Sequence, residues 1–79
     1  MRYAPSAFKH GATEANIKSA IRNWVYDDSL DEDPCKHLLI GFDGNANLLE
    51  ILYNVIDERS VNVFHAMKCR DAFLPLIER

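Results

Sequence analysis

A run of apolar residues long enough to cross a bilayer, about 18 or more, is missing from this chain of 79 residues. Missing too is a hydrophobic stretch behind the opening Met-Arg-Tyr-Ala-Pro-Ser that could act as a secretion signal. Together these absences predict a soluble, cytoplasmic protein. Cysteine is scarce, with Cys35 and Cys69 the only two, and without an export signal free thiols are expected rather than a disulfide. No CxxC or HxxxH pair occurs, which argues against a zinc site although His10, Cys35, His37, His65 and Cys69 are ligand types. No motif calls for a cofactor. Repeats and low-complexity tracts are absent as well. A chain this short buries only about 60% of its unfolded surface, so residues 1–79 are expected to share one core as a single domain.

A basic excess is also lacking. The formal net charge is -3, which at first argues against a nucleic-acid partner, since phosphate binding is driven by clustered Lys and Arg. Five of the twelve acids, however, fall in Asp27, Asp28, Asp31, Glu32 and Asp33, which leaves seven acids against nine bases elsewhere. The negative excess is local, and the rest of the chain has cations to spare.

What is present is mostly pattern. Phe8-Lys9-His10-Gly11 reads as a short helix closed by a Gly. Thr13 then serves as N-cap with Glu14 in the first turn. Ile17, Ala20, Ile21, Trp24 and Val25 follow at i, i+3, i+4, i+7 and i+8, predicting an amphipathic helix. Asp27 to Pro34 reads as a polar loop, since its Pro stops a helix. Lys36 to Phe42 alternates as a strand, Asp43 to Asn47 has the Gly and Asn of a hairpin turn, and Leu48 to Ile56 is a nearly all-apolar strand suited to the middle of a sheet. After the turn Asp57 to Ser60, a last strand places Val61, Val63 and His65 on one face and Asn62, Phe64 and Ala66 on the other. Ala72, Phe73, Leu76 and Ile77 suit a short terminal helix that Pro75 would delay or kink. The expected fold is α+β: two N-terminal helices, a three-stranded antiparallel β-meander and a short C-terminal helix.

Polar chemistry gathers at three places: Lys9 with His10, Lys36 with His37, and His65, Lys68 and Arg70 at the end of the last strand. Cleaving RNA without a metal needs a base for the 2′-OH, an acid for the leaving 5′ oxygen, and cations for the phosphate. His10 and His65 are the acid/base candidates, with Arg70 beside them, and Lys9, Lys36 and Lys68 are candidate phosphate binders. Glu50, Asp57 and Glu58 resemble paired carboxylates, but Asp57 and Glu58 sit in a turn, and Glu50 reads as an exposed strand carboxylate or a partner for Lys or Arg.

The order of these motifs is informative. Lys9-His10-Gly11, an amphipathic helix, an acidic stretch, Lys36-x-Leu-x-Ile40-Gly41, a hydrophobic strand and a closing Val-Phe-His-Ala-Met-Lys-Cys-Arg resemble the BrnT-like toxins of the RelE/ParE superfamily over residues 8–74. The chain departs from that pattern at His65 and Met67, where the family has Ser and Arg, at Lys36, where an Arg is usual, and in its opening, where only Met1 to Phe8 precede the motif in place of a strand and a longer helix. The resemblance implies a ribonuclease toxin of a type II toxin–antitoxin system that inhibits translation, neutralised by a DNA-binding antitoxin encoded beside it. Trp24, Tyr26 and Phe73 are candidate apolar anchors for that partner. The alternative is a non-catalytic protein-binding module on the same fold.

Overall fold

The computed structural model describes residues 1–30 and 32–77. Strand β1 is Arg2–Tyr3, and a single 3-10 turn follows at Pro5–Phe8. Helix α1 spans Glu14–Arg22. Strands β2 (Trp24–Leu30), β3 (Asp33–Phe42), β4 (Leu48–Asp57) and β5 (Ser60–Lys68) complete a mixed sheet of order β1-β5-β4-β3-β2. A second 3-10 segment, Asp71–Leu76, contains Pro75. No described helix is long and apolar enough to cross a membrane.

The expected two N-terminal helices, three-stranded meander and terminal helix are therefore overturned. Among the described residues the protein is mostly β, with five strands and one α-helix. The first expected helix is only the 3-10 turn, because Ala4 is extended before Pro5, as the residue ahead of a proline prefers, and that geometry lets the N-terminus pair with β5. β1 runs parallel to β5, Arg2 opposite Asn62 and Tyr3 opposite Val63, and Ala4 N–H donates to the Val63 carbonyl at 2.8 Å. Such a pairing spans some sixty residues of sequence and leaves no local signal.

α1 begins as its sequence dictates, with Thr13 Oγ1 accepting from Asn16 N–H at 3.1 Å. It stops at Arg22 rather than running to Val25. Asn23 caps it by donating its side-chain amide to the Ser19 carbonyl at 2.9 Å, and the aromatic and β-branched residues Trp24, Val25 and Tyr26 enter a strand. The stretch expected as an acidic loop is this strand β2 and the start of β3; Asp31 itself, like the tail end 78–79, lies outside the described residues. Aspartates are tolerated in β2 because it is an edge strand with solvent beside it.

One face of the sheet carries α1. Ile17 and Ala20 pack on Leu39, Leu49, Ile51, Val63 and Ala66, with Ala7 from the 3-10 turn closing the core. Contact is tightest at Gly41, where an added Cβ would stand 1.9 Å from the Ala20 carbonyl oxygen. A register shift against β4 leaves Phe64 as an extra residue in β5, so Tyr53 faces Val63 while Leu52 faces His65. Val63 and Ala66 thus share the helix side, and His65 turns to the opposite face from Val63, which corrects the simple alternation. Ser6 Oγ donates to the Phe64 carbonyl at 2.6 Å, satisfying the bulged residue.

The opposite face holds Leu38 and Ile40 of β3, Glu50 and Leu52 of β4, and His65 and Met67 of β5 in adjacent registers. The segment after β5 lies along it. Arg70 bonds to Glu50, and Leu76 and Ile77 line a cleft together with Trp24 to Asp28 of β2.

Candidate functional site

Glu50 is the centre of the polar chemistry. It sits mid-sheet, opposite Ile40 on one side and Met67 on the other, with 0% of its surface exposed. A carboxylate there must be fully bonded, and it is. His65 Nε2 donates to Oε2 at 2.9 Å, Arg70 Nη2 donates to Oε2 at 2.7 Å, and the Arg70 backbone N–H and Nε both donate to Oε1 at 2.9 Å. Burial by itself would raise the Glu50 carboxyl, but the hydrogen bonds from the Arg70 side chain and backbone and from His65 outweigh it and hold the group below the usual carboxylate range. The same contact pushes the Arg70 guanidinium up. Cys69 beside it is buried and unbridged, and burial, with the Glu50 charge behind it, pushes its thiol up, away from the reactive thiolate.

With Nε2–H committed to Glu50, His65 keeps Nδ1 for other partners. His10 meets this ring edge-on, centroids 5.5 Å apart and planes at 69°. It arrives from the far end of the sequence because the 3-10 turn packs along β5 and the chain then turns at Gly11, whose φ of +87° favours glycine. A cleft of about 340 Å³ opens here, lined by His10, Asn16, Asp43, Met67 and Lys68 among others. Asp43 is committed to its own turn, accepting from Asn45 and Asn47 N–H at 2.8 and 2.9 Å. Those backbone bonds, Asn47 first, hold its carboxyl below the ordinary value.

The predicted residues therefore divide. His10 meets His65, and His65 and Arg70 share Glu50; exposed Lys68 lines the cleft with His10, and Lys9 is exposed beside His10. Lys36 is not part of that group. It lies on the row of β3 that pairs with Asn54, with Nζ 5.8 Å from the Phe64 ring centroid and 4.0 Å from Asp33 Oδ2. Phe73 stacks under the Arg70 guanidinium at 5.3 Å, while Trp24 and Tyr26 stand on β2 at the other edge of the sheet. No group of three or more His, Cys, Asp and Glu side chains converges on a metal position among the described residues.

Of the two sequence readings of Glu50, the partner for Lys or Arg holds and the exposed carboxylate does not; what sequence reasoning missed is its place as the buried anchor. Its signal was a lone acid in a strand otherwise apolar enough for the sheet centre, a position only a paired carboxylate can hold. It missed a second cluster too. On the helix side, Tyr53 Oη donates to Asp27 at 2.9 and 3.0 Å, His37 Nδ1 is 3.4 Å from the same carboxylate, and the His37 and Tyr53 rings stack at 4.9 Å. Burial and then the Asp27 bond drive the Tyr53 hydroxyl far above its ordinary value.

No family model matches the chain, and no curated protein or solved structure matches it either.

Proposed function

We propose that the protein is a BrnT-like toxin of the RelE/ParE superfamily, a metal-independent endoribonuclease that inhibits translation and is held in check by a cognate antitoxin. The observation that carries this reading is the contact of His10 with His65, the second anchored on Glu50, while His10 also lines a cleft that holds Lys68. Two imidazoles side by side supply both halves of the required proton transfer. In the proposed step His65 Nδ1 takes the proton of a ribose 2′-OH and the freed oxygen attacks phosphorus. The bond to the 5′ oxygen breaks, His10 protonates that oxygen, and the products are a 2′,3′-cyclic phosphate and a 5′-OH. Arg70 spends two of its five N–H groups on Glu50; the other three, with Lys68 and Lys9, stabilise charge on the phosphate.

The test is cleavage of RNA by purified protein in EDTA, with the cyclic phosphate as the diagnostic product. His10→Ala and His65→Ala are each expected to lower the rate by about 10²- to 10⁴-fold; wild-type rates in both remove the assignment. The net charge of -3 and the engagement of Arg70 favour a second reading, a non-catalytic protein-binding module. Induced expression separates the two, since a ribonuclease toxin arrests growth and a binding module does not.

A further inference from the structure

We infer that the outer edge of β2 is a docking surface for a lysine- or arginine-bearing extended segment of another protein, added as a sixth strand. The inference rests on the fold and not on the ribonuclease reading. Among the described residues nothing pairs with the outer side of β2, a strand of seven residues, whereas the opposite edge is covered by β1 and the 3-10 turn. An open edge of this kind presents a row of backbone donors and acceptors to any compatible strand.

The side chains say which strand is compatible. Trp24 is 58% exposed and Val25 42%, and a cleft of about 390 Å³ runs between Trp24 to Asp28 and the apolar residues Leu76 and Ile77. Asp27 and Asp28 line it, and Glu32 and Asp33 follow along the β2–β3 hairpin. Register shifts at Val25 and beyond Ser29 confine regular pairing to Tyr26 through Ser29. A second copy of the chain would set Asp27 and Asp28 against the same residues, and like charges directly opposed are destabilising. Nucleic acid would meet the same acids. A solvated edge guarded by charge alone has no use for an exposed Trp beside an apolar cleft, whereas an interface does, because Trp is a preferred anchor. Aspartates flanking an apolar slot fit a strand that alternates cationic and apolar residues.

The surface is distinct from the cleft lined by His10 and Lys68. Strands β3 and β4 intervene, which places β2 and β5 roughly 14 Å apart at the usual strand spacing. A segment on β2 therefore leaves the cleft open.

The probe is a short end-capped peptide of alternating valine and lysine, with a valine–glutamate peptide and a single-stranded RNA oligonucleotide as controls. Amide shifts and hydrogen exchange of the intact protein are followed by NMR. The expected result is saturable binding of the lysine peptide alone, with slowed exchange and shifts confined to Tyr26–Ser29 and the Trp24 indole. Asp28→Lys, on an exposed position, should weaken it by roughly three- to tenfold, and Trp24→Ala by about tenfold. No binding of the lysine peptide, equal binding of the glutamate peptide, shifts centred on β5 and His10, or protection of β2 through self-association would each overturn the inference. Loss of RNA cleavage in the histidine variants leaves it untouched, and failure of peptide binding leaves the ribonuclease reading untouched.

Discussion

Arg70 holds both oxygens of the Glu50 carboxylate, Nε on Oε1 at 2.9 Å and Nη2 on Oε2 at 2.7 Å, and its backbone N–H adds a third bond. One residue thereby ties the start of the terminal segment to the centre of the sheet. His65 takes the remaining position on Oε2. A buried carboxylate with four donors is costly to disturb because its partners are arranged for a negative charge. Glu50→Ala is expected to lower unfolding stability by about 3 kcal/mol, near the low end for a broken buried pair because Arg70 is half exposed and regains water. Urea denaturation measures it, and a loss below about 1 kcal/mol would mean that the pair is dispensable.

The same carboxylate sets an acid limb. Its folded pKa lies below the ordinary 4.5. The stability it contributes is thus fully present above that value and is lost as pH falls through the lower folded value. Wild-type stability should decline on acidification across this window, and Glu50→Gln should flatten that part of the decline. Parallel curves for the two proteins would assign the acid limb to other groups.

Tyr53 supplies the opposite sign. Its hydroxyl is raised far above 10 by burial and by the bond to Asp27, so the neutral phenol is the stabilising form. That contribution is intact below pH 10 and is lost as pH rises toward the folded value. By phenolate absorbance Tyr53 should be the last tyrosine to ionise, and Asp27→Asn should bring it down. If Tyr53→Phe leaves the late phase in place, the late group is another tyrosine.

How much of this was legible depended on locality. The Thr13 cap and the spans of β3, β4 and β5 follow from short-range alternation and turn residues, and they stand close to where the sequence puts them. β2 was hidden because three of its seven residues are Asp or Ser, types that usually mark loops. What holds it is tertiary: Asp27 finds Tyr53 and His37, and Trp24 pairs opposite Gly41. β1 was invisible because two residues carry no periodicity. At the site, His10 and His65 were named from chemistry alone, but the Phe64 bulge that sets the direction of His65 has no sequence signature, and Glu50 could be recognised only once β4 was central.

Gly41 tests the packing of α1. A Cβ there would lie 1.9 Å from the Ala20 carbonyl oxygen and 3.1 Å from that of Asn23, both backbone atoms that no rotamer change can move. Gly41→Ala should therefore cost about 3 kcal/mol, the upper end for overpacking, with a shift of the α1 amide resonances. Gly44, with open space around its missing Cβ, is the control, and Gly44→Ala should change stability by well under 1 kcal/mol. Equal effects at the two positions would contradict the close approach of helix and strand.

Lys68 distinguishes an RNA-binding cleft from an inert one. It is exposed at the end of β5, opposite Leu49, and lines the cleft with His10; it forms no ion pair among the described residues. A cation in that position either neutralises a phosphate or is merely solvated, and salt dependence separates the two. Each phosphate neutralised on a single strand contributes about 0.7 to the slope of log affinity against log salt. Lys68→Glu should weaken binding of a single-stranded RNA oligonucleotide at low salt and make that slope shallower by about one. Lys18→Glu is the control, since Lys18 is paired with Glu14 at 3.0 Å on α1 and does not line the cleft; it should leave the slope unchanged. Fluorescence anisotropy over a salt series measures both. An unaltered slope in Lys68→Glu would show that no phosphate sits beside Lys68, and the cleft would then lose its role in RNA recognition.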